Sequence, residues 1–464
     1  MRKEYQAILF LRNLMTGILA PVLMLILLAR GADIASLSLV LGAFSLTVIV
    51  SEFPSGVFAD LYGRRPAFLL GMGLMGASYG VLLLADGLAL LFAAVVLHGL
   101  GRAFASGSID ALALDQAQGD AALVKTTARI SLLESAGLAL GALLGGALAG
   151  VGDAYRWNLS LCLGISALLV VLTLLWVREP TPHGGTAAES ARHGAWHAFL
   201  RQMAQGLRFM VRRGTVRVLV TLGVLTGMAL FAVETYWQPA LIALDAPPWL
   251  LGVVTSAGFA AVMAGTKVCE SFLAHKPKLA LPLLLAGKAL LGITLCLLAL
   301  PRHYGLFVGV YLWVYATLGS AGVAESMLLN REAPSSQRAG ILSLFSFLTQ
   351  VGGLLASALG FVLAQTSGYR AVWGMGGGAL VLAGIILALY GRRLARRGQP
   401  AASMPSLSPT GDSAVLAQAE ANEAAAALGE ALQQAGLQQT AMAALATIAQ
   451  AKAADAMQPP HNAE

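Results

Sequence analysis

The stretch SEFPSGVFADLYGRRPAFLLG, Ser51 to Gly71, decides how the rest of the chain is read. It sets Asp60, Arg64 and Arg65 within six positions, between two strongly apolar runs, in a chain that is 57% hydrophobic and only 11% charged. A soluble domain carries roughly a quarter charged residues, so a mean hydropathy of +0.74 describes a chain built for a bilayer. A knot of charge in that setting marks a loop at a membrane surface, and the runs on either side are spans.

A spanning helix takes roughly 20 mainly apolar residues with its backbone hydrogen bonds closed internally. Twelve runs fit: Ala7 to Ala29, Ser36 to Phe58, Ala67 to Ala85, Leu88 to Leu112, Ile130 to Val151, Leu159 to Val177, Val218 to Leu241, Trp249 to Val268, Leu279 to Leu300, Tyr304 to Leu329, Ala339 to Ala364 and Ala371 to Tyr390. The first follows Arg2 and Lys3, but it is too long for a signal peptide and no small-residue cleavage site precedes the next span, so it is expected to stay. Cys162, Cys269 and Cys296 fall in or at the ends of spans and read as small core residues, with no disulfide framework.

Basic residues concentrate on the cytoplasmic side of membrane proteins. With the N-terminus inside, cytoplasmic segments hold about 22 of the 30 Lys and Arg residues, among them Lys125, Arg201, Arg208, Arg212, Arg213, Lys276, Lys278, Arg392, Arg393, Arg396 and Arg397; the opposite side holds Arg30, Arg156, Arg302 and Arg370. Both termini are therefore expected in the cytoplasm. The net charge of +7 is dispersed through short loops, which reads as a topology signal and not as a nucleic-acid footprint.

The longest internal polar segment, Arg178 to Arg217, divides the spans six and six. It opens as PTPHGGTAAESARHG; Trp196, Phe199, Leu200, Met203, Leu207 and Met210 then recur at helical spacing among arginines, which suggests a helix on the inner membrane surface. The expected domains are 1–180, a first six-helix bundle; 181–217, a cytoplasmic linker; 218–392, a second six-helix bundle; and 393–464, an Ala/Gln-rich cytoplasmic tail, read as solvated or as a partner-binding helix. Six plus six spans is the layout of a transporter made of two parallel repeats.

Within that layout, Gly56, Asp60, Gly63, Arg64 and Arg65 reproduce the signature G-x-x-x-D-x-x-G-R-R, between the second and third spans. Over about residues 1 to 398 the chain resembles the major facilitator superfamily, and Glu52-Phe53-Pro54-Ser55-Gly56 resembles the E-x-P-[ST]-G variant of a bacterial efflux branch. The resemblance implies an all-α integral membrane fold of twelve transmembrane helices in two six-helix bundles, in a bacterial inner membrane. It also implies that the carboxylate at Asp60 helps latch the bundles on the cytoplasmic side against the N-terminal end of the eleventh helix, near Arg338 to Ile341, where free N–H groups favour an anion. The glycines would serve close approach and a tight turn. A turn that merely obeys the charge rule explains the arginines but neither Asp60 nor the glycines.

In the fifth span Gly137, Gly141, Gly145 and Gly146 follow the pattern G-x-x-x-G-P-x-x-G-G, which in this superfamily is associated with drug–proton exporters, with Ala142 at the proline position. Small residues at this spacing also pack helices closely whatever is transported. The loop after the eighth span keeps Gly265 but has Cys269 where the repeat would place its aspartate, so the second latch is degenerate.

Charges inside spans cost roughly 2.5 to 3.5 kcal/mol each and are functional candidates by default. On the fourth span Arg102, Ser106 and Asp110 are spaced by four, on one helical face, so Arg102 is expected to balance Asp110. Arg12 and Asn13 lie in the first span, Glu134 in the fifth, Glu234 in the seventh and Glu325 in the tenth; Glu52 stands at the end of the second. In the superfamily, helices one, four, seven and ten line the cavity, which puts Arg12, Asn13, Arg102, Asp110 and Glu234 forward. The seventh span reads AVETYWQPAL: Glu234 with Trp237 and Gln238 suits an amphipathic cation, while Trp237 alone also suits an interface belt. Glu234, with no basic neighbour within four residues on its helix, ranks ahead of Asp110 as proton carrier. Lys288 either pairs with an acid or snorkels, and His98 reads as a packed residue.

The reading is a monomeric secondary transporter, exporting small amphipathic compounds against protons, with no cofactor and no metal. No P-loop and no H-E-x-x-H motif suggests an enzyme. Proton-coupled uptake is the nearest alternative, because a protonatable acid serves either direction; a transporter-like sensor or scaffold is a more distant one.

Overall fold

The computed structural model describes residues 2–106, 108–114, 120–152, 155–179, 207–211, 213–333 and 338–396; the side chains at 53, 60, 61, 120–125, 128, 338–340, 343, 388 and 390–396 lie outside that description. Fourteen labelled α-helices account for most of it: α1 Lys3–Leu19, α2 Leu23–Ala29, α3 Ser36–Tyr62, α4 Arg64–Leu84, α5 Leu88–Ala105, α6 Ser108–Leu114, α7 Asp120–Leu148, α8 Arg156–Trp176, α9 Gly214–Ile242, α10 Leu250–His275, α11 Ala280–Leu298, α12 Tyr304–Glu332, α13 Arg338–Ser367 and α14 Tyr369–Arg396. Among the described residues there is no strand. Most of the expected linker and all of the tail beyond 396 lie outside the described residues.

Ten of these segments are long and apolar enough to cross a membrane, and α1 with α2 makes an eleventh that is bent by 52°. The expected second span falls on α3. Two runs expected to be continuous are broken. Pro21 lacks an N–H and cannot continue a helix without losing a bond, and the first span divides there. The fourth divides between α5 and α6, where Ser106 has the extended angles φ −59°, ψ 129°.

Serine and threonine hydroxyls in the spans bond back to carbonyls one turn earlier, as Thr235 does to Phe231 O at 2.7 Å and Thr255 to Leu251 O at 2.8 Å. That satisfies a polar group where lipid offers no partner. Leu175, Val268, Leu306 and Ile386 are exposed on the outer face, as a lipid-facing surface requires.

The packing repeats itself. The first span packs on the fifth, the second on the fourth and the third on the sixth; six helices later α9 packs on α13, α10 on α12 and α11 on α14. Between the halves, α3 meets α13 and α7 meets α10, again related by the same exchange. The fold is therefore two six-helix bundles with equivalent internal order, and its polar site lies where their facing helices carry charge.

Candidate transport site

In the first bundle the apolar face of α1 carries one cation. Arg12 is 4% exposed and grips two carboxylates from different helices. Its Nη1 and Nη2 donate to Asp110 Oδ2 and Oδ1 at 3.0 and 3.4 Å, and Nη2 also donates to Glu134 Oε1 at 2.8 Å. Asn13, fully buried, donates to Leu9 O at 2.8 Å. The expected pairing of Arg102 with Asp110 is thus corrected. The break after Ala105 ends the helical stripe that would have aligned them, and Arg102 instead stands 5.8 Å from the ring of Phe44 and within electrostatic reach of Glu52.

The second bundle holds two separate acids. Glu325 pairs with Lys288 at 2.8 Å, and the ammonium also donates to Thr226 Oγ1 at 2.7 Å. Lys288, 1% exposed, therefore pairs with an acid and does not snorkel. Glu234 accepts from the Tyr315 hydroxyl and has no ion-pair partner among the described residues. Around it runs an aromatic chain: Tyr311 lies 4.7 Å from Tyr315 and 5.0 Å from Trp237, between ring centroids. Trp237 is 2% exposed, packed against Tyr311 and not standing out at an interface. His98 sits between Phe44 and Tyr79, at 5.7 and 5.6 Å, as a packed residue.

Gln238 has a different place from the one expected. Its Nε2 donates to Ala20 O at 2.9 Å and its Oε1 accepts from Met24 N at 3.0 Å. Those are the backbone groups left without helical partners by the break at Pro21, so one amide from the second bundle closes the gap in the first span. Close by, Tyr236 bonds Ser38 across the bundles and donates to Gly360 O at 3.3 Å. These contacts, with Gly146 against Gly252, lie in the half of the spans away from the N-terminus.

The glycines of the fifth span, on α7, are closely packed. A Cβ at Gly137 would stand 2.7 Å from Phe10 O, one at Gly141 2.9 Å from Gly17 Cα, and one at Gly145 2.9 Å from Ile18 C, all on α1. A Cβ at Gly146 would stand 2.6 Å from Gly252 N, in the other bundle. Ala142, in the proline position, is buried in the same seam.

In the opening motif Gly63 adopts φ 101°, a conformation that glycine tolerates, and it ends α3 and begins α4. Sequence reasoning missed its partner. Glu179 accepts from the Arg64 and Arg65 amides at 2.9 and 2.8 Å, a carboxylate on the first turn of α4, where charge and free N–H groups favour it. The signal was present only as an acid just after the sixth span. Gly56 is exposed, and no described atom stands within 4 Å of a Cβ placed there. The side chains of Asp60 and Arg338 lie outside the described residues.

Two repeated helical bundles with ion-paired charges buried in their spans define a membrane transporter. The sequence profile of the Major Facilitator Superfamily matches residues 7–355, and the chain belongs to that family. It is 22% identical over 368 residues to the uncharacterized MFS-type transporter YxaM of Bacillus subtilis, covering 78% of this chain and 89% of that one. Similar solved structures include the nucleoside transporter NupG, with a TM-score of 0.67, 15% identity and coverage of 83% of this chain and 98% of that one. The peptide transporter POT in complex with sulfate gives a TM-score of 0.60 at 19% identity, covering 85% and 95%. At these identities the likeness is one of fold.

Proposed function

We propose that this transporter exports small amphipathic compounds in exchange for protons, by alternating access about a midplane site. The observation that carries the reading is Glu234, a span carboxylate with a phenol as partner, no cation beside it among the described residues, and aromatic rings along one side. A carboxylate so placed is neutralised in one of two ways, by a proton or by a cationic substrate whose apolar part lies on the rings. Competition between the two is what exchange requires. The bundle contacts at the ends away from the N-terminus, combined with the basic-loop orientation, favour a state closed toward the outside. Uptake with protons uses the same carboxylate in the other direction.

Everted membrane vesicles with a panel of amphipathic cations test this. An imposed proton gradient, acid inside, is expected to drive uphill accumulation in the vesicle lumen for the wild type and none for Glu234→Gln at equal abundance. The Gln variant is also expected to bind substrate without pH dependence. Accumulation only under the opposite gradient points to uptake, and uphill transport by the Gln variant removes Glu234 from the mechanism.

A further inference from the structure

The ends of the spans away from the N-terminus carry few cations, and one of them is placed unlike the rest. Of the arginines expected there, Arg156, Arg302 and Arg370 are exposed, whereas Arg30 is partly buried. Arg30 directly follows α2 and Arg156 opens α8. The two stand close enough for one charge to act on the other: burial first, and then the like charge of Arg156, lower the pKa of Arg30. Arg30 Nε and Nη2 are shielded from solvent and have no acceptor. Neither arginine belongs to an ion pair among the described residues. The acids nearby in the chain or the fold are otherwise placed. Asp33 accepts from Ser36 N at 2.7 Å, and Asp86, next to the turn at Gly31, is exposed. Two neighbouring cations, one with shielded donors left unmade, call for an anion from outside the chain.

The surroundings indicate its kind. Trp157, beside Arg156, is 58% exposed. From it an apolar stripe runs down α8 through Leu161, Leu168, Val171 and Leu175, all exposed, at the spacing of one helical face. An exposed tryptophan at the head of a lipid-facing stripe marks the headgroup level of a bilayer. Tyr155 begins α8 without a side-chain cap, so the helix end adds positive character at the same level.

We propose that Arg30 and Arg156 bind the phosphate of an anionic phospholipid whose acyl chain lies along the exposed face of α8.

A soluble anion has use for the arginines but none for the stripe; a lipid uses both. The headgroup ties the end of α2, beyond the 52° bend of the first span, to the start of α8, and supplies the negative charge that the chain does not. The site is separate from the charges inside the spans and independent of the direction of transport.

Native mass spectrometry of the full chain in non-ionic detergent, titrated with phosphatidylglycerol or with phosphatidylcholine, counts bound lipid, and thermal unfolding of the same samples reads the stabilisation that binding brings. The wild type is expected to bind phosphatidylglycerol in preference and to be stabilised by it. Arg30→Gln and Arg156→Gln are each expected to weaken that binding about fivefold, the worth of one basic residue at an anionic membrane surface, and the double variant about 25-fold. Arg302→Gln, a lone exposed arginine at the same end of the other bundle, is expected to bind as the wild type does. Without lipid, Arg30→Gln is expected to unfold at or above the wild-type temperature, because it removes a cation that has no partner. Equal binding of the two lipids overturns the proposal, as does undiminished phosphatidylglycerol binding by the double variant or an equal loss in Arg302→Gln. Displacement of the lipid by excess inorganic phosphate also overturns it, since the site is then one for a soluble anion.

Discussion

Replacing Gln238 by leucine tests whether the bundles are held together where the first span breaks. The substitution deletes two hydrogen bonds that cross between bundles, to Ala20 O and from Met24 N, with little change in volume. Side-chain hydrogen bonds in membrane proteins average about 0.6 kcal/mol and reach about 1.7. Losing two therefore weakens the closed arrangement by about 1 to 3 kcal/mol, which is roughly 5- to 150-fold in a two-state equilibrium. The two freed backbone groups remain in the gap at Pro21, so they are satisfied only if water enters or the helix straightens, and either accompanies opening. The measurement is a pulsed electron paramagnetic resonance distance between spin labels at Val151 and Ser367, both exposed and in different bundles, with Cys162, Cys269 and Cys296 replaced. The ratio of the long to the short distance is expected to rise by the factor above in Gln238→Leu. An unchanged ratio in a folded Leu variant refutes the idea that this amide holds the bundles closed.

Two further outcomes follow from packing and charge. Lys288→Met leaves Glu325 without its cation and Glu325→Gln leaves the ammonium without its acid. Each is expected to destabilise by about 3 to 5 kcal/mol, and the double variant to recover most of it, measured as thermal unfolding in detergent. Gly141→Val places side-chain atoms against Gly17 and is expected to lower the yield of folded protein sharply, whereas Gly73→Ala, where no described atom stands within 4 Å of the added Cβ, leaves it near wild type.

The spans were legible because hydropathy is a local property, and the motif from Gly56 to Arg65 located one loop of the repeat without any tertiary knowledge. Partnerships were not. Arg12 lies 98 residues from Asp110 and 122 from Glu134, and nothing in local spacing announces that a helix-one arginine would outcompete Arg102, one stripe away on paper. The break after Ala105 decided it, and the two flanking residues, Ser106 and Gly107, were visible but read as helical. Pro21 was a similar signal inside an apolar run. Its consequence, a helix repaired by Gln238 from the other bundle, depended on a partner 218 residues away. Glu179 was overlooked because a carboxylate that caps a helix far away in sequence looks like any polar residue in a loop.

What distinguishes the two kinds of contact in this molecule is charge. Among the described residues, the ion pairs buried in the spans, Arg12 with Asp110 and Glu134 and Lys288 with Glu325, are each internal to one bundle. The described hydrogen bonds that cross between bundles join neutral groups, namely Gln238 to the first-span backbone and Tyr236 to Ser38. Separating a buried ion pair costs several kcal/mol because each charge is left without compensation. Separating neutral hydrogen bonds and a glycine seam such as Gly146 on Gly252 costs far less. Among the described residues, the charges thus tie helices within each bundle, while the contacts across the seam are of the kind that a ligand of ordinary affinity can shift between closed and open forms.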